Sequence, residues 1–364
     1  MTRRNWRRFD WPLLLAIILL STYGIFMIAS AVQGDPELLG YPQRQIGYLV
    51  AGMALMFVVA SFDYALLGSF TAVFYAGVLV LLALVGLIGQ NLFGAQSWIL
   101  FLGLFPIQPS ELAKVALALA LAQYLAARQE QMGDVRTILA ALAIMAPVLV
   151  LVFLEPDLGT AIVLAVQGGI LFLAAGLRVR HLLAGGVAGL ALGPLFWQLL
   201  ADHQRTRLLI FLDPTADPDS YFNVDQALVS VGSGGLLGKG YGMGTQSQLH
   251  FLRVRHTDFI FSVTAEELGF VGALVMVALL LFIILRLWRI AEQARDPFGR
   301  LLAAAIAGIL LFQTAVNIGM NMGLVPVTGL PLPFVSYGGN AMLSLFLLVG
   351  LAQSVAMRKK KIEF

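Results

Sequence analysis

Apolar residues along this chain run together in blocks of about 18 to 25, divided by short polar stretches, rather than recurring with the period of an amphipathic helix or strand. About twenty consecutive apolar residues are needed to cross the hydrocarbon of a bilayer, so blocks of this length predict transmembrane helices. Ten are expected, at 11–32, 43–62, 68–88, 110–127, 137–154, 158–176, 181–200, 262–286, 300–322 and 334–357, each bounded by Gly, Pro or charge. The expected fold class is an all-α polytopic membrane protein, a single membrane domain over 1–364. Arg3, Arg4, Arg7 and Arg8 before the first block and Ala29-Ser30-Ala31 at its end imitate a secretory signal. The block is longer than a signal's apolar region and the rest of the chain is just as apolar, so it reads as an uncleaved first span.

An even number of spans puts both termini on one side. That side receives 16 of the 23 basic residues: the N-terminal arginines, Arg128, Arg136, Arg178, Arg180, Arg286, Arg289, Arg295, Arg300 and the run Arg358 to Lys361. Short basic loops face the cytoplasm, which assigns the termini there. The opposite side holds one long connection, 201–257, between the seventh and eighth spans. Its apolar content, including Phe211, Tyr221, Phe222, Leu236, Leu237 and Phe251, predicts a large ordered extracytoplasmic loop rather than a disordered one.

Composition narrows the function. With 59% apolar and 12% charged residues, a water-soluble enzyme and a disordered chain are both excluded. The net charge of +3 sits in short clusters between apolar runs and reports orientation, not nucleic-acid binding. There are no cysteines, which removes disulfides and thiolate chemistry.

Ionisable residues near membrane depth are costly, so each is a candidate site. Glu111 and Lys114 open the fourth span three residues apart, on one helix face, as a structural pair or as part of a substrate cavity. Asp157, after Glu155-Pro156, suits a helix cap. Gly232-Ser233-Gly234-Gly235-Leu236-Leu237-Gly238-Lys239-Gly240 lacks the residues of a nucleotide-binding loop, and it reads either as an anion cradle or as a tight turn. Three acids enter the eighth span: Asp258 after Thr257, then Glu266 and Glu267. Asp258, beside Phe259 and Phe261 at the membrane boundary, is either a helix N-cap or a general base whose pKa is raised by its apolar surroundings. His203, His250 and His256 have no zinc-type spacing, and no metal ligand is assigned. Pro326, Gly329, Pro331, Pro333, Gly338 and Gly339 in the last outer loop break helix and free backbone groups, a pattern suited to a cavity lining.

These motifs together resemble the SEDS family (shape, elongation, division and sporulation). They are Gln108-Pro109-Ser110-Glu111 with Lys114, Pro156-Asp157-Leu158-Gly159, Gly232 to Gly240, Gly244-Thr245-Gln246, Thr257 to Phe261 with Glu266-Glu267, and Thr328 to Phe334 with Ser336-Tyr337-Gly338-Gly339. The resemblance covers essentially the whole chain and is nearer to the RodA branch than to FtsW, because the tails are short. It departs at Arg253-Val254-Arg255, where a proline and an acid are common, at Asn340 for Ser and at Glu155 for Gln.

The resemblance implies a peptidoglycan glycosyltransferase of the bacterial cytoplasmic (inner) membrane that polymerises lipid II during elongation and cell-shape maintenance. It implies Asp258 as the catalytic residue, with Lys114, Glu111, Lys239, Ser233, Gly234, Gly235, Thr257, Glu266, Glu267 and Ser336 expected around the substrate. Partners implied are a class B penicillin-binding protein, elongation-complex proteins and membrane lipids, and a divalent cation (Mg2+ or Mn2+) is the one candidate cofactor. An α-linked donor and a β-linked product require one inverting displacement, for which a single base is enough. A lipid II flippase or an FtsW-like division polymerase is the alternative, although transporters gather charge near the midplane and carry inverted repeats that this sequence lacks.

Overall fold

The computed structural model describes residues 6–92, 95–101, 105–191, 193–215 and 217–359; Arg3, Arg4, Lys360 and Lys361, counted above for orientation, lie outside them. Helices dominate: α1 (Trp11–Ala31), α2 (Tyr41–Ser61), α3 (Tyr64–Ser69), α4 (Thr71–Ile88), α5 (Pro109–Ala126), α6 (Val135–Leu154) and α7 (Leu158–Ala174) are followed by α8 (Val179–Ala191), α9 (Gly193–Leu199), α10 (Asp202–Leu212), α11 (Pro218–Ser233), α12 (Thr245–Gln248), α13 (Ile260–Glu292), α14 (Pro297–Asn321) and α15 (Gly339–Met357). Six of them are long and apolar enough to cross a membrane (α1, α2, α6, α13, α14 and α15), and two shorter apolar stretches, Thr71–Leu87 and Leu158–Ala174, accompany them.

Many helix starts are written in aspartate. Asp10, Asp63, Asp134, Asp157 and Asp296 each accept a bond from a backbone N–H of the turn they precede, which satisfies donors that helices leave unpaired. Proline in the first turn of α1, α5 and α14 removes another such donor. The core lies among α5, α13, α14 and α15: Ala113, Val115 to Ala118, Leu121 and Ala122 of α5 are sealed against α14, whose Leu301 to Ala307 are buried almost throughout. The small residues there let backbones approach closely, as packing without a hydrophobic driving force requires.

Four expectations are corrected. The chain is mostly rather than wholly helical: β1 (Gln90–Leu92), β2 (Ala95–Phe101) and β3 (Phe105–Ile107) form a small antiparallel sheet with Ile99 opposite Ile107 and Phe101 opposite Phe105, where aromatic and branched residues too few for a span favour strands. The stretch 181–200 is divided into α8 and α9, with Gly193-Pro194 at the break, and its described residues are largely exposed. The stretch 201–257, expected as one large loop, carries three helices, α10 to α12, among its described residues. Finally, α15 begins at Gly339 rather than at 334, because Pro331, Pro333 and the Gly338-Gly339 pair hold the chain extended or turned up to that point.

Candidate active site

Asp258 ends the chain's approach to α13, and the helix does not use it as a cap. Phe259 is the N-cap and no side chain caps this end. What holds Asp258 is its backbone: its carbonyl accepts from Asn317 Nδ2 at 3.1 Å and from Asn321 Nδ2 at 2.9 Å. These asparagines, four residues apart on one face of α14, also bind each other and the neighbours of Asp258. Asn321 Nδ2 donates to Asn317 O at 2.8 Å, its Oδ1 accepts from Ser262 N and Oγ at 3.1 and 2.6 Å, and Asn317 Nδ2 donates to Leu330 O at 2.8 Å.

The preceding residues are held from the other side. Ser336 Oγ donates to Thr257 O at 2.6 Å and accepts from Leu332 N at 2.8 Å, while Tyr337 N donates to His256 O at 3.0 Å. Gln45 of α2 in turn fixes that loop, donating to Ser336 O at 3.0 Å and accepting from Gly338 N at 3.2 Å. His256 packs against Tyr41 and Tyr337, and burial with Arg255 beside it pushes its imidazole down to about 4, so it is neutral at physiological pH.

The carboxylate of Asp258 is left half-buried and faces a cation. Burial raises its pKa, and the charge of Arg207 together with a bond from Thr257 opposes that rise. Arg207, exposed on α10, and Asp258 flank Gly329: a Cβ placed there would lie 3.6 Å from Arg207 Nη1 and 3.9 Å from Asp258 Oδ2, and its φ of +73° is one that glycine adopts freely. Glycine thus keeps the space between acid and base clear.

Lys114 and Glu111 form the expected pair, closed on itself: Lys114 Nζ lies 2.8 and 2.7 Å from the two Glu111 oxygens, one of which also accepts from Ser344 Oγ, and Lys114 is 1% exposed. With Ser336, Gln313, Pro331 and Leu332, Lys114 lines a cavity of about 10 Å³, the least that holds one water. Asp157 caps α7 through Thr160 N at 3.0 Å, as the spacing suggests.

The glycine run lies elsewhere, about two turns along α13, and there it enters the helix's own ladder. Gly269 has φ +66° and ψ −165°, which breaks the helical run. Phe270 N and Val271 N, which a regular helix would bond to the carbonyls of residues 266 and 267, donate instead to Gly235 O (2.8 Å) and Leu236 O (3.1 Å), and the freed carbonyls of Glu266 and Glu267 accept from Lys239 N (3.0 Å) and Gly240 N (2.9 Å). The fit needs bare backbone: a Cβ at Gly234 would come 1.9 Å from Ala265 O. The N–H groups of Lys239 and Gly240 are therefore already taken.

The side chains finish the seam. Glu266 Oε1 accepts from Lys239 Nζ at 2.7 Å, Thr245 Oγ1 at 3.0 Å and Gln246 N at 3.0 Å. Glu267 accepts from Ser30 of α1, Ser247 Oγ and Gly242 N. Ser233 is exposed and donates only to Ser230 O at 3.2 Å.

Of the residues expected around the substrate, the fold thus groups Thr257, Asp258 and Ser336, sets Lys114, with Glu111 paired to it, on a cavity that Ser336 shares, and gathers Gly234, Gly235, Lys239, Glu266 and Glu267 into a separate seam, beside which Ser233 lies exposed. Arg207, Asn317, Asn321 and Gln45 were not anticipated. Two asparagines four apart inside an apolar span carried a readable signal, whereas nothing local marks Arg207. Among the described residues no group of three His, Asp or Glu side chains that could hold a metal ion is present.

Such a molecule belongs to the multi-pass membrane proteins, with one carboxylate poised at a loop-lined helix end. Comparison specifies the kind. A model of the cell cycle proteins FtsW, RodA and SpoVE matches residues 11–361, and the chain belongs to that family. It is 39% identical to the peptidoglycan glycosyltransferase MrdB of Escherichia coli K12, over 97% of this chain and 95% of that one. It is 37% identical to the probable peptidoglycan glycosyltransferase FtsW of Geobacter metallireducens, over 97% and 96%. Among solved structures it resembles a chain of a peptidoglycan synthase complex that coordinates polymerization and crosslinking, at TM-score 0.83 and 34% identity over 96% and 97%. It also resembles the rod shape determining protein RodA of Thermus thermophilus, at 0.74 and 32% over 98% and 99%.

Proposed function

We propose that the chain is a peptidoglycan glycosyltransferase that polymerises lipid II at the membrane face bearing Asp258, with Asp258 as its general base. The observation that carries this reading is that Asp258 has its backbone clamped by Asn317 and Asn321 while its carboxylate caps nothing and faces Arg207. A base so placed takes the proton of the acceptor GlcNAc 4-hydroxyl as its oxygen attacks the MurNAc anomeric carbon. The bond from that carbon to the diphosphate breaks, and undecaprenyl diphosphate leaves as an anion that needs no protonating acid. One displacement inverts α to β. Arg207, rather than the closed Lys114, is the cation suited to the departing diphosphate, because a guanidinium binds phosphate oxygens in pairs.

The orientation that goes with this reading puts both termini in the cytoplasm and the Asp258 face outside, with ten crossings of the bacterial inner membrane; the basic residues of the short loops support it. The likeness to a chain of a synthase complex supports a class B penicillin-binding protein as partner, and the likeness to a rod shape determining protein supports a role in elongation and cell shape.

The test is gel-resolved polymerisation of labelled lipid II by the purified protein with its transpeptidase partner in detergent, where no flipping is needed. Asp258→Ala and Asp258→Asn, each folded by size exclusion and thermal melting, are expected to lose about 10²–10⁴-fold in rate. Ladders from both variants at parental rate would remove Asp258 from the chemistry, and no ladder from the intact parent complex would return the protein to transport.

A further inference from the structure

We propose a second site, at the opposite end of the molecule, that binds the phosphate of an anionic glycerophospholipid. Helix α13 starts beside Asp258 and runs 33 residues, so Arg286 and Arg289 near its other end lie about 40 Å away. There a cavity of about 370 Å³ opens between the start of α1, the end of α13 and the end of α15. Arg7, Arg8, Arg286, Arg289 and Lys359 line it, and Asp10 is its sole acidic residue.

The charges do not cancel. Asp10 is fully engaged, its Oδ1 taking Leu13 N at 3.0 Å and its Oδ2 taking Arg286 Nε and Nη2 at 3.2 and 2.7 Å. Arg8 donates to the carbonyl of Lys359 at 3.0 Å and Lys359 Nζ to the Gln293 amide at 3.0 Å, bonds that hold the cations in place without neutralising them. Among the described residues Arg7 and Arg289 have no carboxylate partner, and the acids closest in sequence are committed elsewhere: Glu292 to Trp288, Asp296 to Arg295 and Tyr64, Asp63 to Arg295 and Arg358. Four positive charges therefore remain around a space large enough for a phosphodiester, and guanidinium groups match its oxygens in pairs.

The surroundings select a lipid over a soluble anion. Phe9, Pro12, Ile290 and Ala356 supply apolar walls. Below them α1 turns Trp11, Leu15 and Leu19 outward at four-residue intervals, and α13 exposes Leu281, Phe282 and Leu285, so an acyl chain has apolar surface to follow away from the charged mouth. Basic pockets between helix ends at a membrane face bind acidic headgroups by this combination.

The experiment is native mass spectrometry of the delipidated full chain titrated with dioleoylphosphatidylglycerol or dioleoylphosphatidylcholine, which share their acyl chains. The parent is expected to hold phosphatidylglycerol about tenfold more tightly, and Arg7→Gln with Arg289→Gln, both exposed and away from the Asp10–Arg286 pair, to abolish that preference. Arg128→Gln with Arg136→Gln removes the same charge elsewhere and is expected to leave it intact, as is excess inorganic phosphate. Equal affinity for the two lipids in the parent, equal losses in the two double variants, or displacement by inorganic phosphate would each overturn the proposal, the last by assigning the cavity to a free anion.

Discussion

Two acidic sites at the start of α13, eight and nine residues apart, show opposite uses of a carboxylate. Glu266 and Glu267 are fully buried and bound by donors from three segments: Ser30 of α1, the 242–247 turn and the glycine run, which reaches their carbonyls through Lys239 N and Gly240 N and Glu266 Oε1 through Lys239 Nζ. Asp258 has its backbone bound as firmly, yet its carboxylate caps no helix and faces Arg207. With Glu266 Oε1 and both oxygens of Glu267 taken up by donors of neighbouring segments, this pair serves as cement. Burial pushes the carboxyl of Asp258 up, which gives it the basicity that the proposed proton transfer requires.

The sharpest way to break this contrast is Glu267→Ala. It strands the donors of Ser30, Ser247 and Gly242, and we expect a loss of about 3 kcal/mol in stability, whereas Asp258→Asn leaves melting unchanged while activity falls. A destabilised Asp258→Asn with an unaffected Glu267→Ala would reverse the assignment. Next in size is Arg207→Gln, expected to lower turnover about tenfold at neutral pH. Because burial raises the pKa of Asp258 and Arg207 restrains it, the variant's base holds its proton to higher pH, so the loss is larger on the acid limb than at alkaline pH. A loss uniform across pH would confine Arg207 to binding the diphosphate.

The smallest effect concerns Glu155, in the turn between α6 and α7. Burial, with Asp157 nearby, pushes its carboxyl up to about 8. Since the folded state holds this proton more tightly than the unfolded chain, its contribution to stability is complete below the unfolded value and is lost as pH rises through about 8. Glu155→Gln should lie close to the parent at pH 5 and exceed it by a margin that widens up to about pH 8 and then levels off, read from thermal melts between about pH 5 and pH 9.

The sequence predicts the helices well because bilayer thickness imposes a length that local composition must meet, and the capping role of Asp157 needs only its neighbours. The strands β1 to β3 escaped because they are only 3 to 7 residues long, too short for the pattern alone to separate strand from loop. Asp258 stood out by being an acid next to an apolar span, but its two-sided clamp joins residues 59 and 79 positions apart. The glycine run was open to two readings until its partner was seen. An anion cradle and a seam into a broken helix demand the same bare backbone, and only the position of Gly269 opposite Leu236 and Gly238 distinguishes them.

The clamp on Asp258 also orders events during synthesis. Asn321 lies more than sixty residues downstream of the base it holds, Ser336 and Tyr337 later still, and the partner that secures their loop, Gln45, left the ribosome long before. Chains are made at about 5–20 residues per second, so a nascent protein exposes Asp258 for several seconds before its last helix arrives. A chain that ends between Asn321 and Leu332 carries every expected substrate residue but Ser336 and lacks one side of the clamp on Asp258. With Asp258 as the proposed base, competence for catalysis is thereby tied to synthesis of the last outer loop.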